Sequence, residues 1–291
     1  MEIVKLFEES LAEIGDKTKF MNLRAVSGGD INSAYFIETE RNAYFVKCNK
    51  NIPPGFFKSE AAGLKLLSQV EGVFVPKVYL VKEAENGDYG LLILEWIEGK
   101  KTMQTEEMLG QVVASLHQCY GTHFGLTEDN YIGRLPQRNG LYNSWIDYFR
   151  ERRLFSQVKL AEQKGRMPKQ RRDKIEKLLS SLDNWIPKQC QPSLLHGDLW
   201  SGNWIVGANG IPYLIDPSVF YGHFEFEIAF TELFGGFSSR FYEAYTEMKP
   251  LSKEYYERKE LYQLYYLLVH LNLFGEMYGS AVDRVLKKYV G

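Results

Sequence analysis

Leu194-Leu195-His196-Gly197-Asp198-Leu199-Trp200-Ser201-Gly202-Asn203 is the stretch on which the reading turns. It sets an Asp and an Asn five positions apart, and a β-hairpin follows at once. Trp204-Ile205-Val206 leads into Gly207-Ala208-Asn209-Gly210, with Asn-Gly in the loop, and Ile211 to Ile215 returns. Asp216 closes the hairpin in Leu214-Ile215-Asp216-Pro217. A carboxylate and an amide oxygen on a short loop, with a second carboxylate across a hairpin, make a hard-oxygen site suited to Mg²⁺. That ion keeps several waters and shares its other ligands with substrate phosphates, so two protein ligands suffice. An isolated His-Gly-Asp would serve equally well as a turn cap. The ordered set of Asp198, Asn203 and Asp216 is what carries the chemistry.

The Asp198–Asn203 spacing matches a phosphotransferase catalytic loop, in which Asp accepts a hydroxyl proton and Asn holds metal. Asp216 then stands where a second, metal-binding Asp is needed. Upstream, Lys47 in Tyr44-Phe45-Val46-Lys47 ends a strand, as a lysine that grips α- and β-phosphates does. Glu60, in the next helical stretch, falls where that lysine's carboxylate partner belongs. Between the first two strands, Ser27-Gly28-Gly29-Asp30-Ile31-Asn32-Ser33 would let backbone N–H groups of Gly28 and Gly29 approach phosphates. It is not a GxGxxG loop, and no GxxxxGK[ST] sequence occurs anywhere. Leu92-Ile93-Leu94-Glu95-Trp96-Ile97 reads as a strand ending at the lobe boundary; if the phosphotransferase reading holds, this is the hinge, with Glu95 and Ile97 as backbone contacts for adenine. A plain buried strand before a linker would read the same way.

Working outward, residues 2–14 have the apolar spacing of an amphipathic helix, and short β-branched or aromatic runs follow at Asn22–Ser27, Ala34–Glu38 and Ala43–Cys48. A helix over Phe56–Val70 and strands at Val78–Lys82 and Leu91–Trp96 complete a small antiparallel sheet with one crossing helix. After Gly99 the period is helical at Glu106–Gln118, Asn143–Gln163, Arg171–Trp185, Glu225–Phe234 and Lys253–Tyr278. The expected fold is α+β and bilobal: a β-rich ATP-binding lobe over 1–98 and a helical catalytic and substrate-binding lobe over 99–291.

The 291 residues are 45% hydrophobic and 25% charged, which excludes a disordered chain and suffices for a core without disulfide or metal staples. With 35 basic against 37 acidic residues, the chain lacks the basic excess of a phosphate-backbone binder. Its densest basic run, Lys164, Arg166, Lys169, Arg171, Arg172 and Lys174, reads as a solvated helix face. Three scattered cysteines, Cys48, Cys119 and Cys190, suit free thiols in a reducing cytosol. The acidic start is no signal peptide, and the longest apolar run, Tyr265–Phe274, is too short to span a bilayer. These features lead us to expect a soluble cytoplasmic protein with no nucleic-acid or membrane partner.

The same residues resemble a family. Gly28-Gly29-Asp30-Ile31-Asn32, Phe45-Val46-Lys47, His196 through Asn203 and Ile215-Asp216-Pro217 are similar to the small-molecule branch of the protein-kinase-like fold, which holds aminoglycoside phosphotransferases and choline kinases. Trp200 after His-Gly-Asp-Leu, Phe220-Tyr221-Gly222-His223 and Glu225-Phe226-Glu227 resemble the fructosamine-3-kinase (ketosamine-3-kinase) family more closely. The resemblance implies ATP and Mg²⁺ as cofactors, Asp198 as catalytic base, Asn203 and Asp216 as metal ligands, and Lys47 with Glu60 as the phosphate-positioning pair. It also implies Trp200 against the sugar-derived substrate, His270 on the substrate side, and phosphorylation of the 3-hydroxyl of free or protein-bound ketosamines, a deglycation or protein-repair activity. No Arg stands between His196 and Asp198 and no Ala-Pro-Glu segment follows Asp216, unlike a regulated protein kinase. A kinase of another small alcohol, such as an aminoglycoside or amino alcohol, is the nearest alternative. A silent pseudokinase or a binding scaffold is the alternative of another class. Oligomeric state is not legible.

Overall fold

The computed structural model describes residues 2–26, 32–84 and 88–291; Gly28 and Gly29 lie outside the described residues. The first part is a five-stranded antiparallel sheet with a helix on each face. In chain order come α1 (Glu2–Glu13), β1 (Phe20–Val26), β2 (Ser33–Thr39), β3 (Ala43–Asn49), α2 (Phe56–Leu67), β4 (Val78–Lys82) and β5 (Gly90–Glu95). The strand order is β1-β2-β3-β5-β4. Alternation along the strands decides which residues meet which helix. Val46, Leu91 and Ile93 pack with Phe7 and Leu11 of α1, while Leu92 and Leu94 pack with Phe56, Phe57 and Leu64 of α2. Lys47 sits opposite Ala34 and Leu92, so it shares the α2 face. That register aims its ammonium at the helix carrying Glu60.

The start of α2 is fixed from outside the helix. Gly55 adopts a left-handed φ of 78°, and the Glu83 carboxylate accepts hydrogen bonds from Gly55 N at 2.6 Å and Lys58 N at 3.0 Å. An anion against the free N–H groups of a first turn offsets their partial positive charge.

The rest of the chain is dominated by helices, with short strands between them. α3 (Thr105–Gln118) leads to β6 (Phe124–Leu126), β7 (Asn130–Ile132), β8 (Leu135–Gln137) and β9 (Gly140–Tyr142). α4 (Trp145–Tyr148) runs through a π-helical segment, Phe149–Phe155, into α5 (Ser156–Gln163), and α6 (Lys169–Ser180) follows. β10 (Ser193–Leu195), β11 (Trp204–Val206), β12 (Pro212–Leu214) and β13 (Phe220–Gly222) bracket the motif region. α7 (Phe224–Thr231), α8 (Ser239–Met248), α9 (Tyr255–Phe274) and α10 (Gly279–Val290) close the chain. Aromatic rings fill this core: Trp145, Tyr148, Phe149, Phe226, Tyr262, Tyr265 and Tyr266 are all buried.

The expected α+β architecture, the helix and strand order of the first hundred residues and the 204–215 hairpin all stand. Four features differ. α8 and α10 were not expected although Phe241, Ala244 and Tyr245 and likewise Val282, Val285 and Leu286 have helical spacing, and the strands β6–β10 and β13, of three residues each, are too short to show a period. The helix expected to reach Tyr278 ends at Phe274, where Gly275 takes φ 100°. The basic run is a solvated face only in part, with Lys164, Lys169 and Arg172 exposed. Arg171 is buried and bridges Glu276 and Asp283, and Lys164 and Arg166 bond the Asn272 and Leu271 carbonyls at the end of α9. Cations against free C-terminal carbonyls are the favourable sign for a helix dipole.

Candidate active site

A cleft of about 340 Å³ opens between the sheet and the helices, and the convergent residues of the motif reading line it: Lys47, Glu60, Asp198, Trp200, Asn203, Asp216 and His270. A larger recess of about 620 Å³, between α2 and residues 73–78, contains none of them.

At the sheet end, Lys47 is 7% exposed and its ammonium meets two carboxylates. Glu60 Oε1 lies 2.6 Å from Nζ, and Asp216 Oδ1 is its second partner. Burial alone would lower the Lys47 pKa, but Asp216 and Glu60 hold it above the usual lysine range, so it stays charged. One ammonium thereby ties β3, α2 and the end of the hairpin together.

The loop 196–203 is shaped by its own backbone. Gly197 has φ 85°, and a Cβ there would run into the Ser218 carbonyl. His196 Nε2 donates to Ile215 O at 2.8 Å, which leaves Nδ1 bare to accept the Asp198 N–H at 3.3 Å. Gly202 lies beneath the Trp200 indole, where any side chain would collide with the ring. Trp200 itself is 41% exposed.

Asn203 Nδ2 donates to the Asp198 carbonyl at 2.8 Å and to Asp198 Oδ2 at 3.1 Å. With its amide nitrogen so engaged, Asn203 has Oδ1 left as its acceptor. Burial, and next the Asp216 carboxylate, push the Asp198 carboxyl up to about 7, against the Asn203 hydrogen bond. A base poised near working pH is what proton transfer from an alcohol needs. The oxygens of Asn203 and Asp216 form a hard donor set that fits Mg²⁺ sharing its remaining positions with phosphates. Among the described residues no cluster of three His, Cys, Asp or Glu side chains could hold a metal by itself.

After β5, the Glu95 N–H donates to Lys77 O at 2.9 Å and is not free for another acceptor. Ile97 follows, half-buried. The Trp96 indole packs edge-on against Phe36, with ring centroids 4.6 Å apart. Phe36 pairs with Phe45 on the face that bears Lys47. At the opposite end of the cleft, His270 Nδ1 donates to Tyr266 O at 2.8 Å. Burial lowers the pKa of its ring, so the neutral imidazole keeps a bare Nε2.

Glu227 is the functional residue that motif reading passed over, quoting it only within a family segment. Fully buried on α7, it accepts from His196 N at 3.0 Å and Gly197 N at 2.5 Å. His117 Nε2, on α3, donates to the same carboxylate at 2.8 Å and accepts from Tyr245 O–H on Nδ1, also at 2.8 Å. Burial would raise the Glu227 pKa, but His117 and the loop N–H groups hold it below the usual range. The signal for it was present: Phe224-Glu225-Phe226-Glu227-Ile228-Ala229-Phe230 is too apolar to leave its acids in water, and buried acids need partners.

A family model described as fructosamine kinase matches residues 3–291. The chain is 45% identical over 268 residues to an Enterococcus faecium protein named "Probable ketoamine kinase", covering 91% of this chain and 94% of that one. It is 33% identical over 281 residues to the chloroplastic protein-ribulosamine 3-kinase of Arabidopsis thaliana, covering 95% and 85%. The crystal structure of a Haemophilus somnus protein bearing the fructosamine-3-kinase name superimposes with a TM-score of 0.86 at 30% identity, over 98% of this chain and 97% of that one.

Proposed function

The chain belongs to the fructosamine kinase family, and from that premise we propose that it transfers the γ-phosphoryl group of ATP to the 3-hydroxyl of a ketosamine. The observation that carries the reading is the meeting of Lys47, Asp198, Asn203 and Asp216 in one cleft, with Asp198 half-buried beside Asn203 and raised to about 7. Lys47, held by Glu60, takes the α- and β-phosphates, and the Glu95–Ile97 backbone takes the base. From their place in the sequence between the first two strands, Gly28 and Gly29 would add backbone N–H groups for the phosphates. Asn203 Oδ1 and the Asp216 carboxylate would hold Mg²⁺, which when bound offsets the charge on the transferred phosphoryl group. Asp198 orients the acceptor hydroxyl and removes its proton as the oxygen attacks. Trp200 offers an indole face to the C–H groups of the sugar chain, and His270 Nε2 accepts a hydrogen bond from a substrate donor.

The lobe boundary belongs between residues 98 and 99, so that the cleft is the seam between nucleotide-binding and acceptor-binding halves. Phosphorylation at carbon 3 makes the adduct labile, which gives the reaction a deglycating role. No helix among the described residues is long and apolar enough to cross a membrane, and the sparse free thiols support a cytoplasmic setting.

Coupled ADP release with Mg-ATP tests the reading, offering ribuloselysine and fructoselysine side by side with Asp198→Asn as control. Turnover of either substrate is expected, with a loss of about 10²–10⁴-fold in the variant while ADP still raises its melting temperature. Silence on both substrates overturns the acceptor assignment. Absence of any nucleotide-induced shift overturns the kinase assignment as well.

A further inference from the structure

The cleft has a second end, and its chemistry differs from the first. Lys47, Glu60 and Asp216 crowd the sheet side with charge. Beyond Asp198, Trp200, Val269, Leu273 and Phe274 line the cleft beside His270, and Arg134 is the charged residue that shares this lining outside the Lys47 cluster. Three rings surround that imidazole: Phe234 at 4.6 Å, Tyr278 at 5.0 Å and Phe274 at 5.5 Å between centroids. The cluster is not sealed. Phe234 is 37% exposed, Phe274 48% and neighbouring Met277 75%, with Trp200 at 41% on the same cleft. An exposed apolar patch continuous with a reaction cleft marks a place where a ligand covers it.

We propose that this ring cluster at the end of α9 seats the amine-bearing alkyl chain of the ketosamine, and that it makes the enzyme selective for adducts of long alkyl amines over adducts of small ones. The inference rests on the ketosamine reading of the site and adds the part of the substrate which that reading leaves open. Once the 3-hydroxyl lies at Asp198, the phosphate end of the cleft is taken by nucleotide, and the amine at carbon 1 must leave by the other end. A ketosamine amine is a secondary ammonium at neutral pH. The faces of Trp200 and Phe274 suit such a cation, and the alkyl chain beyond it suits the uncharged rings. His270 Nε2, bare because Nδ1 donates to Tyr266 O, is an acceptor for the ammonium N–H. A lysine side chain on a protein surface presents this combination of cation and methylenes, with the protein outside the cleft mouth.

The test compares ribulosamines of methylamine and n-hexylamine, which differ only in apolar chain. Each buried methylene is worth roughly fourfold in affinity. The wild-type enzyme should favour the hexyl adduct by at least tenfold in kcat/KM, through KM. Phe274→Ala, and independently Phe234→Ala, should cut that ratio at least fivefold while melting within a few degrees of wild type. A wild-type ratio within twofold of unity, or a ratio that survives in both variants, overturns the proposal. A wild-type enzyme that phosphorylates neither adduct overturns the ketosamine reading itself, which is a different failure.

Discussion

Replacing Glu227 by glutamine keeps the shape of α7 and removes one charge from behind the catalytic loop. The carboxylate accepts three hydrogen bonds, from His196 N, Gly197 N and His117 Nε2. Glutamine can serve Gly197 N with its carbonyl. Its amide nitrogen can then face His117, provided the imidazole exchanges tautomers and donates from Nδ1 to Tyr245. His196 N shares Oε2 with His117 and is left facing a donor. The change therefore loses one charge-assisted bond and orphans one buried N–H, about 3–5 kcal/mol together. At roughly 2–4 °C per kcal/mol for a chain of this size, the melting temperature should fall by roughly 6–20 °C. The orphaned group lies two residues before Asp198, and a 1 Å misplacement of a catalytic group costs on the order of 10²-fold. We expect kcat in the coupled ADP assay to fall by about that factor, with the KM for ATP nearly unchanged because Lys47 and Glu60 do not touch Glu227. Tyr245→Phe removes only the outermost link and should cost about 1 kcal/mol with kcat largely kept. A Glu227→Gln enzyme with kcat within threefold of wild type and an unchanged melting temperature would refute the idea that this carboxylate shapes the loop.

Three further outcomes are expected. Gly197→Ala forces a side chain into a left-handed φ and against the Ser218 carbonyl, so it should abolish turnover and lower the melting temperature by several degrees in a thermal scan. Glu60→Gln leaves Lys47 to Asp216 alone and should raise the KM for ATP at least tenfold, roughly the worth of one hydrogen bond between charged groups; an unchanged KM would count against the pair's role. Asp16 is buried, which raises its pKa, but bonds from Thr18, Thr39 and Tyr44 outweigh burial and bring it from 3.8 to about 2. Its pKa is thus depressed in the folded state, so it contributes about 2 kcal/mol above pH 4, lost as the pH falls through 2. The stability gap between wild type and Asp16→Asn in urea should close over that interval.

The sequence was most legible where chemistry forces residue type and order. Asp198, Asn203, Asp216, Lys47 and Glu60 can be found by spacing because each needs one kind of head group, and the structure brings all five to one cleft. What spacing could not find depends on partners far along the chain. Glu227 reaches His196 and Gly197 across about thirty residues and His117 across 110. Arg171 looked solvated among its charged neighbours, yet its carboxylates come from Glu276 and Asp283, more than a hundred positions away. Strands of three residues, as in β6 to β9, are held by the sheet they join rather than by their own pattern. By contrast α8, capped by the Ser238 side chain, buries Phe241, Ala244 and Tyr245 at i, i+3 and i+4, a helical spacing that was legible and was passed over.

Asp216 sits at φ 56°, one of two non-glycine residues with positive φ among those described. Its position makes two demands at once, a left-handed backbone and a negative charge within reach of Lys47. Glycine meets the first alone, asparagine meets the first without the charge, and glutamate brings the charge with a backbone that resists the turn. Of the twenty amino acids only aspartate satisfies both. A saturation library at codon 216 selected for turnover should return one residue, whereas a library selected only for folding should return aspartate, asparagine and glycine.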